Sequence, residues 1–202
     1  RQASRWQNAN LEAQMTKRYV MVHDENKCIG CQACNVACRS ENGVPEGVTR
    51  LQVRVEGPFG EMPHLHFKYH RVSCQQCEDA PCVKVCPTGA AYVGEDGIVS
   101  IHGDKCVGCM YCVAACPYKV RFMNPETKVA DKCNFCKDTR LARGEEPACV
   151  TVCPTDALVF GDANDPQSEV AMLLNTKITY QDKTHLGTKP RVYRVPTKRG
   201  GI

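Results

Sequence analysis

The spacing of the cysteines constrains this chain more than any other feature. Its 16 cysteines fall into four groups of four, with none left over. The first group is Cys28, Cys31, Cys34 and Cys38, separated by two, two and three residues. The second is Cys74, Cys77, Cys82 and Cys86, separated by two, four and three. The third, Cys106, Cys109, Cys112 and Cys116, repeats the first spacing. The fourth is Cys133, Cys136, Cys149 and Cys153, separated by two, twelve and three. Pro87, Pro117 and Pro154 follow the last cysteine of groups two, three and four.

Three cysteines in a tight loop direct three sulfurs at one cubane iron–sulfur cluster. The fourth, three residues on, lies in the following turn and points away. In the bacterial ferredoxin pattern it ligates the other cluster of a pair. A proline after it redirects the chain, because it fixes its own φ and restricts the residue before it. Gly30 and Gly108 let the loops wrap closely around a cube. Structural zinc calls for a pair, a spacer and a pair, which only group four resembles, and that group shares the three-residue final interval of the others. Disulfides would have to close strained loops between neighbouring CxxC cysteines.

Internal repeats carry the same message. CVKVCPTGAAYVGED from Cys82 matches CVTVCPTDALVFGDA from Cys149, and KCIGCQACNVAC from Lys27 matches KCVGCMYCVAAC from Lys105. Strand-like stretches, Tyr19–Asp24 and Gly97–Gly103, precede the latter pair. The expected fold class is α+β: two duplicated bacterial-ferredoxin-like modules, one split in sequence, with an inserted β-hairpin and N- and C-terminal arms. The expected division has an N-terminal arm at 1–18. A first module spans 19–47 with 126–163 (groups one and four), and a hairpin is inserted at 48–72. A second module spans 73–125 (groups two and three), and a C-terminal helix and basic tail occupy 164–202.

Composition enters through the core. Aromatics are 6% of 202 residues and the apolar runs are short, so a conventional core would be thin. Metal ligation can supply the missing folding free energy. The net charge of +4 is mildly basic, and no nucleic-acid partner is expected. No stretch approaches the roughly 18 apolar residues of a membrane span, so no transmembrane helix is expected. Arg1 to Asn10 is polar and lacks the apolar run of a signal peptide. Opening on Arg rather than Met fits a processed or incompletely represented chain, and Met15 before Thr16, Lys17 and Arg18 is an alternative natural start.

Further features have two readings each. Lys27, Lys105 and Lys132 each precede the first cysteine of a group. They either raise the potential of a nearby cluster or are solvated surface cations. Val48–Val55 and His64–Val72 alternate as strands about a turn at Gly57-Pro58-Phe59-Gly60, with Leu51, Val53 and Val55 on one face and Leu65, Phe67 and Tyr69 likewise. His64, His66 and His70 share the other face of the second strand, a polar face or subunit interface more than a metal site. Asp165-Pro166 predicts an N-cap and first helical position for a helix through Leu174. Lys183, Lys189, Arg191, Arg194, Lys198 and Arg199 make a basic tail, read either as a dock for a partner or anionic lipid, or as a loose end. No nucleophile–base pair, phosphate loop or GxGxxG motif is present, so catalysis by the chain alone is not expected.

The group order, the twelve-residue gap, and the phrases YVMVHDENKCIGCQAC, CPTGA, CVGCMYCVAACPY and DKCNFC resemble one family over roughly Tyr19 to Pro196. It is the four-cluster electron-transfer (beta) subunit of molybdopterin oxidoreductases, of the thiosulfate, polysulfide, tetrathionate and dimethyl sulfoxide reductase type. VPEGVTRL and LGTKPRVYRVP are similar to the related subunit of the formate-dependent nitrite reduction pathway. The resemblance implies cross-paired ligands for four 4Fe–4S clusters. Cys28, Cys31, Cys34 and Cys153 would hold cluster 1, and Cys133, Cys136, Cys149 and Cys38 cluster 2. Cys74, Cys77, Cys82 and Cys116 would hold cluster 3, and Cys106, Cys109, Cys112 and Cys86 cluster 4. Some relatives replace a group-three cysteine and carry a three-iron cluster, whereas group three is complete here. The resemblance further implies a wire from a quinone-linked membrane subunit, facing cluster 4, to a molybdopterin catalytic subunit, facing cluster 1. Its expected location is the periplasmic face of the membrane, with the cytoplasmic face as alternative. A soluble polyferredoxin shuttle and a relay to a multihaem cytochrome reductase are the competing functions.

Overall fold

The computed structural model describes residues 17–198. Most of the N-terminal arm expected at 1–18, and Arg199 of the basic tail, lie outside the described residues.

Strand β1 (Tyr19–Asp24) is the middle of a three-stranded sheet, antiparallel to β8 (Leu158–Asp162) and parallel to β9 (Val192–Val195). Its apolar run is nearly continuous because both faces are covered. Met21 joins a core that also holds Cys34, Cys38, Cys74, Cys133 and Cys149, while Val20 and Val22 pack with Val159, Val170 and Val195 on the other side. A sulfur-rich core thus stands where a larger aliphatic one would be expected, and a second contains Cys77, Cys82 and Cys112.

Helix α1 (Ala33–Asn42) leaves the first cysteine loop and stops at Gly43, a left-handed residue whose N–H returns to the Arg39 carbonyl. It packs against α4 (Ala148–Thr151), the short helix before β8. Elsewhere α2 (Pro81–Lys84) packs against α3 (Tyr111–Ala114), and β4 (Ala91–Val93) pairs with β5 (Val99–Ile101). Strands β6 (Phe122–Met123) and β7 (Ala130–Asp131) form a small antiparallel pair. Helices and strands are thus mixed in an α+β arrangement.

The inserted hairpin is present, with its elements displaced. β2 spans Leu51–Phe59 and β3 spans His66–Ser73. The turn expected at Gly57-Pro58-Phe59-Gly60 lies beyond Gly60, where the His64 N–H donates to the Glu61 carbonyl at 2.6 Å. Gly57 and Pro58 are absorbed as an irregularity in the register between Glu56 and Phe59, which an edge strand tolerates. Only the base of the apolar face is covered. Leu51 and Val53 are buried, whereas Val55, Leu65 and Phe67 are exposed.

The C-terminal helix also starts later than expected. α5 spans Glu169–Thr176, and its N-cap is Ser168, whose Oγ accepts from the Ala171 N–H at 3.1 Å. Asp165 instead accepts from the Gln167 N–H at 2.9 Å, closing a turn before the helix. The basic segment that follows is bound rather than loose. Arg194 is fully buried in β9, Arg191 Nη1 donates to the Gly97 carbonyl at 3.0 Å, and Lys183 Nζ donates to the Pro117 carbonyl at 2.6 Å. His70 of β3 faces Glu25 and Asp182, at 3.9 and 3.6 Å, tying the hairpin to this segment. Burial alone would raise the Asp182 carboxyl, but hydrogen bonds from His70 and Arg194 hold it well below the usual carboxylate range.

Candidate functional site

The cysteines gather in sets that mix the sequence groups. Cys28, Cys31 and Cys34 line a cavity of about 370 Å³ with Cys153. Cys106, Cys109 and Cys112 line one of about 360 Å³ with Cys86. Cys74, Cys77 and Cys82 line one of about 330 Å³ with Cys116. Cys38 has Cys133, Cys149 and Cys136 as its electrostatic neighbours, and Asn42 Nδ2 reaches both Cys38 and Cys136 sulfurs, at 3.8 and 3.5 Å. Among the described residues, no group of three or more His, Cys, Asp or Glu side chains closes on a single metal ion. Four sulfurs set around one cavity without converging on a single point suit a polynuclear group.

Local sequence explains the geometry. Each CxxCxxC loop bends through a glycine in the left-handed region, Gly30 at φ 71° and Gly108 at φ 70°. Gln32 and Met110, both at φ 63°, then turn the chain into α1 and α3. The CPT phrases place the remote cysteine. The Ala157 and Ala91 N–H groups donate to the Cys153 and Cys86 sulfurs at 3.3 and 3.4 Å, with Thr155 and Thr88 hydroxyls at 3.8 and 3.7 Å.

Those hydrogen bonds have a chemical effect. Backbone N–H groups hold the Cys86 thiol below its ordinary value. At Cys153, burial pushes upward but the Thr155 and Ala157 N–H groups win, and the thiol is lowered. Elsewhere burial dominates: it raises the thiols of Cys28, Cys34, Cys38 and Cys82, and pushes Cys77 and Cys149 up to about 12. Thiolates packed this tightly need positive charge among them, which a ligated iron group supplies.

Part of that positive charge comes from the chain. Arg71, Arg121 and Lys132 are buried among the sulfurs. Of the three lysines that precede cysteine groups, only Lys132 is buried; Lys27 and Lys105 are exposed. Arg71 and Arg121 carry no motif. Arg71 does continue the alternation of Leu65, Phe67 and Tyr69, and a cation on that apolar face is a signal of a buried partner.

Gly30 and Gly108 should differ under substitution. At Gly30 an added Cβ would run into the Tyr69 ring, while at Gly108 the nearest atom is the Lys128 carbonyl oxygen, 3.4 Å away. Both changes carry the left-handed penalty of about 1–3 kcal/mol. Gly30→Ala should therefore lower the melting temperature more than Gly108→Ala and reduce iron content at its own site. Equal melting temperatures for the two variants would remove the Tyr69 contact from the account.

Four mixed sets of cysteines, on repeated loop–helix units, define the class of dicluster iron–sulfur proteins. Family models described as "4Fe-4S dicluster domain" match residues 65–163 and 27–90. The B subunit of polysulfide reductase from Wolinella succinogenes is 65% identical over 93% of this chain and 99% of its own length. Protein NrfC of Escherichia coli (strain K12) is 56% identical over 92% of this chain and 83% of its own length. Thiosulfate reductase electron transfer subunit PhsB of Salmonella typhi is 55% identical over 89% and 93%. The chain belongs to this family of iron–sulfur electron-transfer subunits, which are not themselves the catalytic subunits of their reductases.

Proposed function

We propose that this chain relays electrons through four 4Fe–4S clusters, between a quinone-linked membrane subunit and a molybdopterin-type catalytic subunit that reduces a sulfur compound. Cluster 1 rests on Cys28, Cys31, Cys34 and Cys153, and cluster 2 on Cys133, Cys136, Cys149 and Cys38. Cluster 3 rests on Cys74, Cys77, Cys82 and Cys116, and cluster 4 on Cys106, Cys109, Cys112 and Cys86. A 4Fe–4S cube, when bound, takes up and releases one electron. The protein's part is to space the four sites, shield the inner two and open the outer two.

The observation that carries this reading is the exposure of the ligands. All 16 cysteines are described, and Cys31 and Cys109 alone are exposed. They are equivalent positions in cluster sites 1 and 4, the two ends of the series, while the matching Cys136 and Cys77 are buried. Exposed apolar side chains adjoin both: Ile29 beside Cys31, and Val107, Met110 and Tyr111 beside Cys109. Two wet, apolar ends suit two docked partners better than a free shuttle. Pairing of β1 with β8, and packing of α1 on α4, support a first ferredoxin-like module split between 19–47 and 126–163. The pairing of β4 with β5 supports a second at 73–125. The names of the relatives support polysulfide or thiosulfate as the substrate class.

No helix among the described residues is long and apolar enough to cross a membrane. In this reading the chain attaches through its membrane partner, on the periplasmic face. Isolation of the chain from its native membranes tests the proposal. It should copurify with a large catalytic subunit and a membrane subunit. Elution as a free protein, reducing several unrelated acceptors, would establish the soluble shuttle instead.

A further inference from the structure

Each junction between successive cluster sites holds one buried cation. Arg71, 1% exposed, stands between sites 1 and 2. It lines the cavity of Cys28, Cys31, Cys34 and Cys153, and its Nη2 reaches the Cys149 sulfur of site 2 at 3.8 Å. Lys132, 2% exposed, stands between sites 2 and 3. Its Nζ donates to the carbonyl of Cys133, a site 2 residue, at 2.9 Å, and to the carbonyl of Val99, which lines the site 3 cavity. Arg121, 5% exposed, lines the cavities of both site 3 and site 4. Its two terminal nitrogens have no hydrogen bond of ordinary geometry to another protein group.

The negative groups facing these cations come from the flanking sets. They are Cys149, Cys133, Cys34 and Cys38 for Arg71, Cys74, Cys133 and Cys82 for Lys132 (which also faces the Arg121 guanidinium), and Cys82, Cys74 and Cys112 for Arg121. Burying a cation is strongly unfavourable unless an opposite charge compensates it. A cluster held by four thiolates is negative and gains a further negative unit on reduction. Two neighbours reduced together therefore repel, most strongly where no water screens them.

We propose that Arg71, Lys132 and Arg121 are junction charges, each shared by the two cluster sites it separates, raising the potential of both and damping their mutual repulsion. The inference rests on the four-cluster reading above. It adds that neighbouring sites are tuned in pairs, which lets the wire hold electrons on adjacent clusters.

The test uses the assembled complex. Iron and sulfide are first counted in the wild type, so failure of the four-cluster reading shows before any variant is made. Potentials are then followed by electron paramagnetic resonance in a redox titration. Arg121→Gln should lower the potentials of clusters 3 and 4 by about 59 mV each, a tenfold change in a one-electron equilibrium, and leave clusters 1 and 2 in place. Arg121→Lys should restore most of the shift, which a merely structural role would not predict. Lys132→Gln, paired with Lys132→Arg, should move clusters 2 and 3 instead, and gives a second reading if Arg121→Gln loses iron. The proposal is overturned if no potential moves, if all four move together, or if the charge-preserving exchanges shift them as far as the neutral ones.

Discussion

Removing the iron should abolish the cooperative melt of this protein altogether. Its largest buried cluster includes Cys34, Cys38, Cys74, Cys133 and Cys149, and the second includes Cys77, Cys82 and Cys112. Without metal these positions are thiols around cavities of about 330–370 Å³, and Arg71, Arg121 and Lys132 lose the negative charge that compensates them. Structural zinc sites in small domains contribute roughly 10–16 kcal/mol. A comparable term at each of four sites exceeds the whole stability of a typical domain, about 5–15 kcal/mol. Cys149→Ser and Cys82→Ser should therefore each impair folding as well as redox chemistry. The check is circular dichroism and calorimetry after anaerobic chelation. A native spectrum with an unchanged melt would show that the aliphatic set around Val20, Val22, Val159, Val170 and Val195 holds the fold alone.

The two exposed cysteines should separate the ends of the relay. Cys109→Ser removes one thiolate from cluster site 4 and Cys31→Ser one from site 1. Loss of one thiolate can release one iron and raise the potential of the site. About 59 mV is a tenfold change in a one-electron equilibrium, so a shift of about 200 mV disfavours onward transfer more than a thousandfold at equilibrium. Quinol-driven turnover of a Cys109→Ser complex should collapse, while turnover driven by a soluble dye at the catalytic subunit should persist. Cys31→Ser should instead block the last step, from site 1 into the catalytic subunit: quinol-driven turnover falls with sites 2–4 left reduced, and dye-driven turnover, which bypasses site 1, persists. Unchanged quinol-driven turnover in Cys109→Ser would mean that the cluster order is wrong.

The candidate ligands are legible in the sequence because their grouping is local. In groups one and three, three cysteines come from one loop, so their spacing survives whatever surrounds it, as Cys28, Cys31 and Cys34 illustrate. Which remote cysteine completes each set lies outside any local pattern and comes only through the family resemblance. Burial is harder to read. Lys27, Lys105 and Lys132 look alike in sequence, yet only Lys132 is buried, because its Nζ reaches inward to donate to the Val99 carbonyl of β5 and the Cys133 carbonyl. The segment Val192–Val195 merges with the basic tail in sequence, since the five residues between Pro190 and Pro196 show little periodicity. Its strand character comes from pairing with β1, about 170 residues away. At the start of α5 the Asp165-Pro166 signal is overridden: the Asp165 carboxylate closes a turn on the Gln167 N–H, and Ser168 caps the helix.

The most direct test of the four-cluster relay is a count of iron and acid-labile sulfide in the anaerobically purified protein, with Mössbauer spectroscopy of the same sample. Four cubes predict about sixteen of each per chain, with every iron in a cysteine-ligated cubane. Saturation at eight irons and eight sulfides, with eight of the 16 cysteines titrating as free thiols, would contradict it.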